Sequence, residues 1–468
     1  MDNNIYQSPF SWRYGSDQMR AIWSETNKRR LWRKIWVTLA EVQSEYGLVN
    51  EEQLADVRNQ MNNIDLDRAL EIESEIHHDL MAEIKTYAEQ CSIGGGVIHL
   101  GATSMDIEDN TDALRIRSAL EEVLNQLSEV QLELFQKIKE YANLPTMAHT
   151  HIQPAEPTTV GYRLSVYAQD LNTDWDQLNL LFNEIKGKGF KGAVGTSASY
   201  GDLIGAENLA NFERSLSEKL DMPFCPIATQ TYPRKQEYYL LSALAGMAAS
   251  IYKFAFDLRI LQSPPFGEWS EPFREKQVGS SAMPFKRNPI NAEKLDSLCR
   301  YLAQLPRIAW DNAAHSLLER TLDDSANRRT ILPEAFLAAD EILSVTHKVI
   351  AGLVIDREAI ERNMQDYGPF AATERVLMAL VKKGADRQEM HEKIRQHTMQ
   401  AWSAVKAGQE NPLAEAIVSD QEFLQYLTQE QLDAAMDAGR YTGNAAEKCL
   451  SILEARPKLE SWVKGHSN

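Results

Sequence analysis

The sequence predicts an all-α fold on three observations. Apolar residues recur at steps of three and four, the longest such run keeps a near-heptad rhythm, and clean strand alternation is hard to find. At about 150 residues per domain, 468 residues suggest roughly three domains. With 43% hydrophobic and 25% charged residues the chain has ample material for a core, which excludes global disorder.

In chain order, Trp32, Ile35, Trp36, Leu39, Val42 and Tyr46 form the first helical stripe. Gly94-Gly95-Gly96 and the 101–110 segment then interrupt the helices, which places a first helical domain over 1–103. The next stripe is Leu120, Val123, Leu127, Val130, Leu134 and Ile138, with capping side chains offered by Asn110-Thr111-Asp112. A helix from Asp112 to Ile138 would run about 40 Å at ~1.5 Å per residue. Such length favours a long central helical bundle over 104–355. Pro145, Pro154 and Pro157 bracket a short connection. Leu244, Met247, Ile251, Leu258 and Leu261 mark another helix, as do Leu295, Leu298, Leu302 and Leu305, where Pro306 is expected to introduce a kink. The irregular stretch from Ser263 to Pro289 is too long for a turn, and loops of that kind are usually functional. Residues 356–468 make a third helical domain, assigned by what remains.

Lys plus Arg number 49 against 67 Asp plus Glu, a net charge of −18. That field repels phosphate backbones and anionic lipid, so neither nucleic acid nor a membrane is an expected partner. An anionic small-molecule substrate must then find a local basic cluster. Cys91, Cys225, Cys299 and Cys449 are scattered without C-x-x-C spacing, which suits a reduced, cytoplasmic setting and no zinc ribbon. The N-terminus lacks a basic segment followed by an apolar run and does not read as an export signal. Leu240 to Tyr252, the most apolar stretch, is about a dozen residues against roughly 20 for a membrane span, and reads as a buried helix.

Gly187 to Gly192 matches G-x-G-x-x-G but follows a helical pattern instead of a strand, so a flexible turn accounts for it better than a dinucleotide site. Gly94 to Gly96 lacks the Lys of a P-loop. His77-His78-Asp79 and His149-Thr150-His151 contain metal-ligand residue types, but no H-E-x-x-H is present and no metal is expected. His151 stands out because its segment, Thr150 to Pro154, is polar and Pro-bounded, where an imidazole can face a cleft. Between Gly279 and Pro289, Lys286, Arg287 and Asn288 suit a bound carboxylate as well as they suit a solvated basic loop.

Gly279 to Glu293 resembles the signature loop of the fumarase/aspartase superfamily, S-S-x-M-P-x-K-x-N followed by Glu. Arg13-Tyr14, His78-Asp79, Gly101 to Ser104, Thr150 to Pro154, Gln230 to Tyr232 and Glu319 to Arg329 narrow the resemblance to the adenylosuccinate lyases. The animal-type branch is nearer than the shorter bacterial enzymes, and the similarity runs from about Tyr6 to the mid-450s. The resemblance implies a three-domain, all-α fold that works without cofactor or metal. It also implies β-elimination of fumarate from adenylosuccinate, giving AMP, and from succinylaminoimidazole-carboxamide ribotide, giving AICAR, in purine nucleotide biosynthesis.

That chemistry needs a base for a carbon-bound proton, support for the resulting aci-carboxylate and a proton for the departing nitrogen. The resemblance assigns Ser280 as the base and His151 as the acid, with Ser281 a rival base that spacing does not separate. It places the succinyl carboxylates on Thr103, Ser104, Lys286 and Asn288, and puts His78, hydrogen-bonded to a carboxylate, near the reacting end beside Asp79. Arg13, Tyr14, Arg320, Ser325 and Arg329 would grip the ribose phosphate, and Gln230 the succinyl or base portion. Surface salt bridges to Glu319, Asp323 and Asp324 are the competing account of the arginines. His77 and Lys294 stand where the animal-type pattern has Arg, and neither reproduces a guanidinium fork. The resemblance further implies a homotetramer whose active sites each draw on three subunits. Competing readings are another superfamily lyase such as argininosuccinate lyase or a carboxymuconate cycloisomerase, an inactive helical scaffold, and a His-based metal hydrolase.

Overall fold

Helices take up every apolar stripe named above in the computed structural model, which describes residues 4–273 and 276–466. Arg274 and Glu275 of the irregular stretch lie outside the described residues, as do residues 1–3 of the N-terminus and the last two of the chain. The N-terminal region folds as α1 (Asp17–Trp23), α2 (Glu25–Ser44), α3 (Glu51–Gln60), α4 (Leu66–Ile76) and α5 (Asp79–Gln90). Each begins at a side chain that accepts an amide of the first turn: Ser16, Ser24, Asn50, Asp65 and His78. The first stripe is buried on α2 from Trp32 to Val42, and Tyr46 falls beyond its end.

Two arginines of α2, Arg29 and Arg33, are buried and share the buried Glu83 of α5 at 3.1 and 2.7 Å. Removing that shared carboxylate leaves two guanidinium groups without it in a dry interior. Glu83→Gln is therefore expected to lower stability by about 3–5 kcal/mol. Urea unfolding of the two proteins measures it, and a difference under about 1 kcal/mol would contradict the role assigned to the pair.

The next helix, α6 (Ser104–Tyr141), has 38 residues. It would reach about 57 Å at ~1.5 Å per residue. It starts earlier than the sequence suggests, because the Thr103 N–H donates to the Asp106 carboxylate at 3.1 Å and the cap forms there. Asn110 and Thr111 are not caps but buried residues inside the helix. The Asn110 side chain accepts from the Gly189 N–H at 3.0 Å and donates to the Gly189 carbonyl at 3.2 Å. The glycine-rich 187–192 segment is correspondingly not a flexible turn. Lys188 and Lys191 are buried in it, and Lys188 Nζ meets Asp106 at 2.5 Å.

After α6 the Pro-bounded connection forms an antiparallel hairpin, β1 (Pro145–Thr150) and β2 (Gln153–Thr159). In a two-stranded ribbon both strands are edges, so the prolines displace no partner. There follow α7 (Val160–Glu184), α8 (Ala198–Ile204), α9 (Leu209–Leu220), α10 (Lys235–Leu261), the short β3 (Trp269–Ser270), α11 (Ile290–Leu302) and α12 (Leu305–Ala314). Pro306 does not kink one helix. It lies in the first turn of α12, where a missing N–H is harmless, and the apolar run is split in two. The chain ends with α13 (Ser325–Ala351), β4 (Val354–Ile355), which pairs antiparallel with β3, and α14 (Arg357–Lys382), α15 (Arg387–Lys406), α16 (Leu413–Val418), α17 (Gln429–Met436), α18 (Ala445–Ser451) and α19 (Arg456–His466).

The chain divides into two units. The first comprises Met1–Gln126, Asp174–Ala249 and Leu298–Leu343; the second comprises Leu127–Thr173, Ser250–Ser297 and Ser344–Asn468. Helices α6, α7, α10, α11 and α13 have residues in both. In the first unit Ile116, Leu120, Leu240, Leu244 and Phe336 are core residues, and in the second Val130, Leu134, Ile251, Phe254 and Leu258. A further cluster in the second unit joins Val376, Leu380, Ile394, Leu413 and Phe423.

Candidate active site

Within the first unit, Asp79, Arg320, Ser325 and Arg329 line one cavity of about 110 Å³. Ser325 opens α13, so it and Arg329 stand one turn apart on one face, as the i,i+4 spacing requires. Both arginines have carboxylate partners: Arg320 meets Asp324 at 2.8 Å and Arg329 meets Asp79 at 2.7 Å. Burial alone would raise the Asp79 carboxyl, but the Arg329 hydrogen bond and charge outweigh it and hold the group below the usual carboxylate range.

The remaining first-unit residues lie outside this lining. His78 caps α5, its Nδ1 accepting from the Met81 N–H at 3.3 Å. It is 3.9 Å from the Asp79 carboxylate, beyond hydrogen-bond distance. His77 ends α4 in a left-handed conformation with φ 54° and is exposed. Thr103 and Ser104 are half-buried at the start of α6. The Gln230 N–H donates to the Glu319 carbonyl at 3.2 Å, which ties its segment next to Arg320. Arg13 is exposed, and the turn after it is fixed by Arg20, which donates to the Tyr14 carbonyl at 2.9 Å, and by Glu341, which accepts from the Gly15 N–H at 3.0 Å.

From the cavity wall, where Asp112 and Arg328 lie, a charge lattice that no sequence spacing marks runs into the interior. Arg328 reaches Glu237 at 2.6 Å and Asp112 at 2.9 Å, while Arg234 reaches Asp324 at 2.6 Å and Asp109 at 2.9 Å. These bonds fix the start of α13, and with it Ser325 and Arg329. The cavity wall also carries Lys28 and Glu108. One signal was available for the acids: Glu108 and Asp112 are spaced i,i+4 along one helix, one turn after Ser104.

The second unit holds the loop and the hairpin. The buried Glu271 accepts from the Asn291 and Ala292 N–H groups at 3.0 Å each, at the first turn of α11. Asn288 Nδ2 donates to the Gly279 carbonyl at 3.0 Å and joins the two limbs of the loop. Only glycine fits at 279, where a Cβ would stand 2.1 Å from the Lys286 carbonyl oxygen. Ser280 is half-buried, and its Oγ accepts from the Ala282 and Met283 N–H groups at 3.3 and 3.1 Å. Two amides aimed at one hydroxyl oxygen favour negative charge there. Ser281 and Lys286 are exposed on the same loop, and Lys294 follows Glu293 on α11.

His151 and Ile152 form the two-residue hairpin turn between the paired Thr150 and Gln153. Their φ angles are 55° and 61°, the pattern of a type I′ turn that Asn and Gly usually occupy. His151 is exposed at the tip. The base of the hairpin is tied to a buried carboxylate: Glu268 takes Arg163 at 2.9 Å and Thr146 Oγ1 at 3.0 Å, and Arg163 also donates to the Met147 carbonyl at 2.7 Å.

Residues 13–302 match a family described as Lyase, and residues 369–449 match one described as Adenylosuccinate lyase C-terminus. Over 467 residues the chain is 37% identical to an adenylosuccinate lyase of Schistosoma mansoni, covering 98% of this chain and 96% of that one. The chain belongs to the adenylosuccinate lyase family. An adenylosuccinate lyase of Saccharomyces cerevisiae is 38% identical over 461 residues, covering 97% of this chain and 95% of the relative. The fold is shared more widely. A crystal structure of 3-carboxy-cis,cis-muconate lactonizing enzyme from Pseudomonas putida superposes with a TM-score of 0.86 at 22% identity, covering 97% of this chain and 100% of that one.

Proposed function

We propose that this lyase releases fumarate by β-elimination from adenylosuccinate, leaving AMP, and from succinylaminoimidazole-carboxamide ribotide, leaving AICAR, in purine nucleotide biosynthesis. The observation that carries the residue assignment is the Ser280 oxygen, cradled by two amides on the loop that also bears Lys286 and Asn288. In this reading the Ser280 alkoxide takes the proton from the carbon beside a succinyl carboxylate. The amides and the Lys286 charge make that alkoxide accessible once the loop closes over the substrate and excludes water. Thr103, Ser104, Lys286 and Asn288 hold the carboxylates, and His151 protonates the departing nitrogen. The same cradle favours Ser280 over Ser281 as the base.

The ribose phosphate is assigned to the Arg320, Ser325 and Arg329 cavity, together with Arg13 and Tyr14; Gln230 takes the succinyl or base portion. A phosphate grip argues against superfamily lyases whose substrates carry no phosphate. Arg329→Met removes a charged hydrogen-bond donor, so KM for adenylosuccinate is expected to rise about 10- to 100-fold with a much smaller change in kcat. Steady-state kinetics check this. The function as a whole is tested by the ultraviolet change on adenylosuccinate cleavage with purified protein, and absence of fumarate would overturn it.

The chain is proposed to work in the cytoplasm, which its buried cysteines without C-x-x-C spacing suit. It is also proposed to work as a homotetramer, each site drawing on three subunits. An apolar groove in the second unit, about 540 Å³ and lined by Tyr162, Val166, Phe256 and Ile260, supports a second copy as its cover. Light scattering is expected to give four times the 53.0 kDa chain mass.

A further inference from the structure

We propose that Glu108 is a proton-carrying specificity residue: its carboxyl keeps its proton and donates it to the anionic oxygen received by Arg320, Ser325 and Arg329, so that ligand and one proton bind together. This rests on the reading that the cavity takes the ribotide phosphate. Glu108 lies on the cavity wall, and among the described residues no hydrogen bond or ion pair reaches its carboxyl. Every other acid facing it is matched. Asp79 has Arg329 at 2.7 Å, Asp112 has Arg328 at 2.9 Å, Asp109 has Arg234 at 2.9 Å, and Glu25 has Lys28 at 2.7 Å. The other cations of the wall are also engaged, Arg320 with Asp324 at 2.8 Å and Arg115 with Asp112 at 3.5 Å.

An ionised Glu108 would therefore stand unmatched beside an incoming dianion and repel it. A protonated Glu108 offers the anion a donor instead. Burial first, then the charges of Asp79, Asp112 and Asp109, pushes this carboxyl up to about 8, against a smaller opposing pull from Arg329. The sign follows. Anion affinity is full below that value and falls as pH rises through it, because the bound complex retains a proton that the free protein has lost.

KM for adenylosuccinate and the dissociation constant of AMP are expected to rise about tenfold between pH 7 and pH 9 in the wild type. Glu108→Gln keeps the shape and a donor but has no proton to lose, and both constants should stay level over that range. Adenosine, without the phosphate, should show no such dependence in either protein. A second measurement needs no variant: at pH 8.5, calorimetry of AMP binding in two buffers of different ionisation enthalpy should show uptake on the order of one proton. Equal slopes in wild type and Glu108→Gln, or no proton uptake, would overturn the role of Glu108. If adenylosuccinate is not cleaved at all, the proposed function fails, while the AMP measurements still test Glu108.

Discussion

Ser280→Ala is expected to lower fumarate release by about 10²- to 10⁴-fold, the usual contribution of a positioned base. The loss should appear in kcat with KM for adenylosuccinate little changed, since the cavity lined by Arg320, Ser325 and Arg329 is in the other unit and is left intact. The variant should also keep its helical circular dichroism, because the side chain is half-buried on a loop and packs in no core. Ser281→Ala supplies the contrast. Its hydroxyl is exposed and lies one residue from the cradle, so the variant should keep activity within a few-fold of wild type. If the two alanine variants change place, the base is Ser281. If neither slows the enzyme, the base is another group and the cradle serves only to shape the loop.

His151→Asn is expected to reduce kcat by a comparable 10²- to 10⁴-fold, because an amide cannot deliver a proton to a leaving nitrogen. Asparagine is the informative replacement. His151 has a φ of 55°, a conformation that costs most side chains energy but that Asn adopts readily. The turn should therefore persist and the melting temperature should hold or rise slightly. Activity lost without stability lost assigns the effect to the imidazole. Retention of wild-type kcat would remove His151 from the proton transfer.

Much of this molecule was legible because its apolar residues keep helical spacing. The stripes on α2 and α6 are buried where their periodicity puts them, and the Ser325–Arg329 spacing does place both on one face of α13. What escaped depends on contacts distant in sequence. Asn110 looks like a cap until Gly189 is known to lie against it, and Glu108 looks like an ordinary surface acid until Asp79 and Asp112 are placed around it. The hairpin escaped for a local reason. Its turn residues are His and Ile, and a β-branched Ile is what a left-handed position selects against, so no Asn-Gly signal marked it.

That turn also sets a direction for laboratory evolution. A culture screened only for heat resistance should replace Ile152 by glycine early, since the backbone there holds a β-branched residue at φ 61°. The survivors would gain durability by slackening the perch of the imidazole, and a selection that counts surviving protein without counting turnover would enrich sluggish clones.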